Sequence, residues 1–371
     1  MRIRTAVPLA IAATAMAVVH AHKPITSKFT YNEHVFPIVR DRCSRCHVDG
    51  GVAPMSLTTY QAAFPWAESI KSELLAGHMP PTAPLSAREL DVLMTWATGG
   101  TPEGPAAAEP NAVALRNDWP LGPPDLVVRV PAETVLAPGQ MEETREFVLP
   151  SEGIAGRAIR AVDLRPGMPA VVRRATFYLR RERLRPARGE RVPERHSASE
   201  RGWGPASIGK SLTVLAFWLP GGETTPTSAG TAFMVPDDAE IVARVTFRKT
   251  WKYENDAVRD RSEVGFYFAP AAARAVQTIA VPREGGVRLP SAAEIVAVDV
   301  ADVDGELVVR TTRPDGSRAV LLSTTGHREW PRRVWLSAPV RLPRGARLTT
   351  AAPTIVSIVL PGQARDRRRT R

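Results

Sequence analysis

The sequence predicts a multidomain protein in which a small all-α domain precedes an all-β sandwich region, jelly-roll-like and built as two sub-sandwiches. Three observations lead there. The chain has 371 residues, too many for one small domain and suited to two or three. Helical periodicity is confined to the stretch before residue 105. Beyond it, short apolar runs recur between Pro, Gly and Asp turns, and the 34 prolines with few aromatics suit turns and edge strands better than long helical arrays. An apolar share of 44% is enough for packed cores.

Arg2 and Arg4 precede an apolar run over 6–19 and then Val19-His20-Ala21, with tolerated residues where a signal peptidase reads. Residues 1–21 are therefore expected to be a secretory signal peptide; left uncleaved, the same run would act as an anchor. Over 30–45, the spacing of Tyr31, Val35, Phe36, Ile38 and Val39 predicts a short amphipathic helix. A turn-rich segment with Gly50-Gly51 follows, where backbone can approach another group closely. A second helix is expected over 60–76, with Phe64, Ala67, Ile70 and Leu74 on one face, stopping at Gly77-His78-Met79-Pro80-Pro81. Ser86 caps a third, which runs through Leu90, Leu93, Met94, Trp96 and Ala97 to Gly99-Gly100.

The first helix leads into Cys43-Ser44-Arg45-Cys46-His47, which uses both cysteines of the chain. This is the spacing that fastens haem covalently, through two thioethers, with the adjacent histidine available as an axial iron ligand. A redox Cys-x-x-Cys pair and half of a zinc site are the alternatives. A zinc site would need further Cys or His ligands at short spacing, and downstream only His78 is near. Met79, held between a helix end and two prolines, is the expected distal ligand. His78 is its rival and Met55 a weaker one.

Residues 106–124 read as a linker, rich at first in Pro, Ala, Gly and Glu. Strands are expected over 126–130, 145–149, 157–164, 171–179, 212–219, 240–246 and 264–268, within a first half spanning 125–270. A further set over 295–300, 306–312, 319–323 and 333–336 falls in a second half, 271–360. Residues 180–210 form a polar, arginine-rich stretch expected to be a long surface loop. The formal net charge of +11 is concentrated after residue 105 and ends in a basic tail, 361–371, while residues 22–105 are nearly neutral. Such a tail suits a membrane surface or an acidic redox partner. Gly209-Lys210-Ser211 lacks the upstream glycine of a phosphate loop, and neither a Gly-x-Ser-x-Gly nor a His-Glu-x-x-His motif occurs.

Taken together, Cys43 to His47, the Ala53-Pro54-Met55-Ser56-Leu57 run, His78-Met79-Pro80-Pro81 and the Trp96 helix before Gly99-Gly100 make residues 31–104 resemble small mono-haem cytochrome c domains. The resemblance implies a cytochrome c domain over 22–105, haem c as covalent cofactor, Cys43 and Cys46 as anchors, and His47 and Met79 as axial ligands. It also implies an exported, periplasmic protein, or one held at the outer face of the inner membrane by an uncleaved signal. Thr82 departs from the pattern, since an aromatic often follows the two prolines.

Residues 117–350 resemble the copper type II, ascorbate-dependent monooxygenase-like (peptidylglycine hydroxylating monooxygenase-like) domains that often follow such cytochromes. The resemblance rests on Trp119 to Asp125, the strand ending at Phe177, Trp218-Leu219-Pro220-Gly221, residues 243–249, and Asp260-Arg261-Ser262 before Val264-Gly265-Phe266. Arg313-Pro314-Asp315-Gly316 and Pro343-Arg344-Gly345 extend it. Copper-binding members place paired histidines where this chain has Arg173-Arg174, and another where it has Phe247-Arg248. The only histidines after His78 are His196 and His327. Two isolated histidines cannot serve two copper centres that each need about three such ligands, and arginine cannot replace them. The copper ligands are lost on this reading, and no copper is expected.

The expected function is one-electron transfer by an exported c-type cytochrome, an electron carrier more than a catalyst, whose β region docks an unidentified redox partner protein. Nucleic acid is not expected as a partner; contact with a membrane surface, through the basic tail or an uncleaved signal, is. A haem domain feeding electrons to a copper-dependent oxidoreductase, and a haem-based sensor, are the alternatives.

Overall fold

The computed structural model describes residues 25–81, 84–106, 113–181, 212–222 and 224–361. The expected signal peptide, His196 with residues 182–211, and tail residues 362–371 lie outside the described residues. Strand takes up 40% and helix 15% of the described residues, so the fold is β-rich with few helices.

Tyr31–Val35, Phe36–Ile38 and Val39–Cys43 follow one another without a break, burying Tyr31, Val35, Phe36 and Val39 as their spacing predicts. The backbone is wound wide at both ends: Phe36 N–H reaches the Tyr31 carbonyl, and Ser44 N–H reaches that of Val39 at 2.8 Å. Such widened turns are rare in helices and concentrate at functional sites. Tyr60–Ala63, Phe64–Trp66 and Ala67–Leu75 form the second helical run, opened by Thr59, whose hydroxyl accepts from Ala62 N–H at 3.2 Å. Ala87–Thr98 begins with a reciprocal cap. Ser86 Oγ accepts from Glu89 N–H at 3.2 Å, and the Glu89 carboxylate accepts from Ser86 N–H at 2.7 Å.

These helices close around aromatic rings. Trp96 is fully buried, its ring centroid 5.9 Å from that of Tyr31, and its indole N–H donates to the Pro102 carbonyl at 3.1 Å. The Tyr31 hydroxyl donates to the Leu57 carbonyl at 2.6 Å. Both polar handles are thus satisfied inside the core, as buried Tyr and Trp require.

In the β part an eight-stranded sheet runs in the order Leu126–Arg129, Glu263–Phe268, Ala158–Arg165, Thr231–Met234, Arg274–Val281, Thr354–Val359, Ala293–Val300, Arg332–Leu342. One four-stranded sheet (Glu142–Leu149, Ala239–Arg248, Val172–Arg181, Leu212–Trp218) shares a core with its first end, including Phe147, Phe177, Phe247 and Phe266. Another (Val287–Arg288, Arg347–Thr350, Gly305–Thr312, Arg318–Gly326) shares a second core with its other end, around Ile295, Leu307, Leu348 and Val356. The two halves meet in the parallel pairing of Arg274 with Thr231 and Ala275 with Ala232. Residues 117–122 are fastened to this body: Asn117 Nδ2 donates to the Pro166 carbonyl at 3.0 Å, and the Tyr267 hydroxyl to that of Gly122 at 2.8 Å.

One local irregularity matters later. Val172 and Ala175 are both fully buried, although strict alternation would send one of them to the other face. The ladder to Ala239–Arg248 therefore slips between Val172, opposite Phe247, and Arg174, opposite Thr246, leaving Arg173 as the extra residue of a bulge. Bulges re-aim side chains in this way.

Candidate functional site

The Cys43 to His47 run is a single tight turn at the end of the first helix. Cys46 N–H and His47 N–H both reach the Cys43 carbonyl, at 3.1 and 2.9 Å. Ala53 N–H returns to the Cys46 carbonyl at 3.2 Å, and a Cβ on Gly51 would lie 2.3 Å from that oxygen. Only glycine fits behind the turn, which accounts for one of the paired glycines. The cysteines are not bridged to each other.

Burial pushes the Cys43 thiol up to about 12, with neighbouring Cys46 adding to it, and the Cys46 thiol up to about 11. Nucleophilic thiols of redox Cys-x-x-Cys motifs are shifted the other way, towards the thiolate. Among the described residues, no group of three or more Cys, His, Asp or Glu side chains is assembled that could hold a metal ion. Burial thus sets these thiols apart from the acidified thiol of a redox pair, and among the described residues no zinc-ligand set is assembled around them.

His47 Nδ1 lies 3.2 Å from the Met55 carbonyl. A neutral ring that donates from Nδ1 keeps its Nε2 lone pair free, which is how ligating histidines are oriented. Burial, and secondarily the charge of Arg173, hold the His47 pKa below its ordinary value against the opposing pull of the Met55 bond. The imidazole is thus neutral at pH 7 and competent to bind iron. Met55 contributes its carbonyl here, while its side chain packs against the helical core.

Met79 is half-buried on the loop after Leu75. Pro80 and Pro81, which follow it, line a cleft of about 460 Å³ together with Arg42 and Arg45 from the cysteine turn. The loop and the turn thus face a common space. His78 is exposed and occupied elsewhere. Its Nδ1 lies 3.0 Å from Glu73 Oε2, and its ring packs edge-on against His327 of the β part, centroids 5.4 Å apart.

The β part closes directly on the turn. Cys46 Sγ lies 3.3 Å from the Pro220 carbonyl, and Arg45 Nη1 donates to that of Gly221 at 3.2 Å. Gly221 has φ +66°, and a Cβ there would lie 2.6 Å from Arg45 Cβ and 3.1 Å from Cys46 Sγ. Arg173 Nη1 donates to the Val52 carbonyl at 3.2 Å. The positions that the copper-domain resemblance assigns to metal ligands are filled by an ion-pair cluster: Glu329 lies 3.5 Å from Arg174 and 2.9 Å from Arg248, which also reaches Glu142 at 2.7 Å. Sequence reasoning found the cysteine turn but not Pro220, Gly221 or Arg173 as its neighbours, because only the tertiary fold brings them there.

No protein-family model matches the chain. No curated protein matches it. Among solved structures it is similar to the crystal structure of the PBSX exported protein XepA, at 8% identity and a TM-score of 0.19, over 69% of this chain and 92% of that one. At that score the likeness carries no argument about fold or function.

A second cleft of about 300 Å³ lies against Arg45, Trp218 and Gly221 and is lined by Asp163. Asp163 is 1% exposed; its Oδ1 accepts from Leu164 N–H at 2.8 Å, while Oδ2 has no hydrogen-bond partner among the described residues. Burial raises its pKa above the ordinary 3.8 despite the opposing hydrogen bonds. A carboxyl raised on folding costs stability once the pH exceeds its folded value, and costs nothing below the unfolded one. Asp163→Asn should therefore gain stability over the parent at pH 7, with the gain shrinking as the pH falls towards 3.8. Thermal melts of both proteins across that range check this, and a pH-independent difference would refute it.

Proposed function

We propose that this chain is an exported c-type cytochrome that transfers single electrons at a covalently attached haem, with a copper-monooxygenase-like β part that has lost its metal ligands and serves as a docking or scaffold module. The carrying observation is the Cys43 to His47 turn, with two unbridged, half-buried cysteines beside a histidine whose Nδ1 is engaged with the Met55 carbonyl. Haem, when bound, supplies a one-electron iron couple whose potential depends on axial ligands, hydrogen bonding and burial.

The chain's own residues have definite parts in this reading. Cys43 and Cys46 anchor, His47 provides one axial nitrogen, and Met79 provides the distal sulfur. Tyr31, Leu57 and Trp96 form a core that excludes water from one side. The short helices around them suit a cytochrome c domain, and the facing sheets of the β part suit paired jelly-roll sandwiches. Arginine fills the positions where copper-binding relatives of the β part would carry histidine, which favours docking over catalysis. The same reading puts the protein in the periplasm or at the outer face of the inner membrane, with a protein redox partner.

The test is expression of the full chain in a host with a covalent haem-attachment system. Haem should stay with the polypeptide on a denaturing gel, with iron but no stoichiometric copper on metal analysis. The double variant Cys43→Ala, Cys46→Ala should lose all gel-stable haem. Parent protein without gel-stable haem, or with stoichiometric copper, would overturn the proposal.

A further inference from the structure

We propose that Arg173 is a fixed positive charge that the β part lends to the haem site, where it raises the reduction potential; this rests on the cytochrome reading above. The bulge between Val172 and Arg174 turns Arg173 out of the strand ladder. Its Nη1 meets the Val52 carbonyl at 3.2 Å, in the segment whose Ala53 N–H is bonded to the Cys46 carbonyl at 3.2 Å. Its guanidinium also lies over the Trp330 ring, 5.7 Å from the centroid.

Two features separate Arg173 from an ordinary surface arginine. Its Nε–H is buried and has no hydrogen-bond partner among the described residues. The nearby carboxylate of Glu329 is taken by Arg174 at 3.5 Å and Arg248 at 2.9 Å. The charge of Arg173 is therefore only partly compensated. The side chain is fastened to Val52, in the segment that folds back on the turn carrying Cys46 and His47.

Arginine cannot shed its proton at accessible pH. A partly desolvated cation near a redox centre favours the state with one more electron, because Coulomb energy is weakly screened away from water. Positions that metal ligands occupy in copper-binding relatives would here act electrostatically on the neighbouring haem.

The experiment is spectroelectrochemical titration of the haem-loaded full chain and of Arg173→Gln, Arg173→Lys and Glu329→Gln. Arg173→Gln should shift the Fe(II)/Fe(III) equilibrium about tenfold towards Fe(III), a fall of about 59 mV for a one-electron couple. Arg173→Lys should stay close to the parent, and Glu329→Gln should shift the potential upward. Loosened packing alone would not move the last two in this pattern. Unchanged potential in Arg173→Gln, or equal falls in Arg173→Gln and Arg173→Lys, would overturn the role of Arg173 while leaving the cytochrome reading intact. Should Arg173→Gln not fold, Glu329→Gln decides, an unshifted or lowered potential counting against the proposal. A parent chain without covalent haem would sink both.

Discussion

Arg333→Leu should destabilise the β part by about 3–5 kcal/mol, the usual cost of removing one member of a buried ion pair. The side chains of Arg333 and Asp299 are 5% and 2% exposed, and two hydrogen bonds of 2.5 and 2.8 Å join them. Arg333 also donates to the carbonyls of Leu215 and Val214, both at 3.0 Å, so its loss strands an aspartate and two backbone acceptors together. Those acceptors belong to the strand Leu212–Trp218, which delivers Pro220 and Gly221 to the cysteine turn. Denaturant unfolding followed by tryptophan fluorescence measures the loss. Replacing both partners by apolar residues should recover part of it. A loss below about 1 kcal/mol for the single variant, the range of exposed pairs, would contradict the buried geometry.

Met79→Ala should abolish the long-wavelength methionine-to-iron absorption band of the oxidised, haem-loaded protein and lower its potential, since His/Met ligation sits at the high end. His78→Ala should leave the band in place, because His78 is held outward by Glu73 and His327. Persistence of the band in Met79→Ala would transfer the role to Met55. Its absence from the parent protein, and not from the variant alone, would point to His78.

The helical part was largely legible from the sequence because each of its determinants is local. The apolar spacing from Tyr31 to Val39, the Ser86 and Glu89 cap, and the stop after Leu75 all act within a few residues. Strands that face a core chiefly on one side, such as Gly305–Thr312, were equally visible between their turns. Thr354–Val359 was not foreseen. Every residue of it is buried, since it lies between Arg274–Val281 and Ala293–Val300 in the long sheet, and a strand covered on both faces loses the alternation that marks a strand. Arg274–Val281 escaped for a related reason, its burial following no two-residue period.

At the site, the cysteine turn announces itself through spacing alone. Arg173 does not. Its place depends on a bulge, on pairing with a strand some seventy residues away, and on contact with Val52, 121 residues earlier. A parity break is nevertheless readable in Val172-Arg173-Arg174-Ala175, where apolar residues fall three apart instead of two. Such a break is a usable sign of a bulge in other sequences.

The contact of Cys46 with Pro220 constrains the order of events in biogenesis. Both cysteines are half-buried, and Gly221 leaves no spare room over Arg45 and Cys46. In the closed chain the Cys46 sulfur is covered on the side of the β part by Pro220 and Gly221. On the cytochrome reading proposed above, thioether formation at Cys46 is expected before the β part settles onto the turn. On the same reading, a chain whose β part closed first would take up haem less readily, so the order of the two events would govern the yield of finished protein.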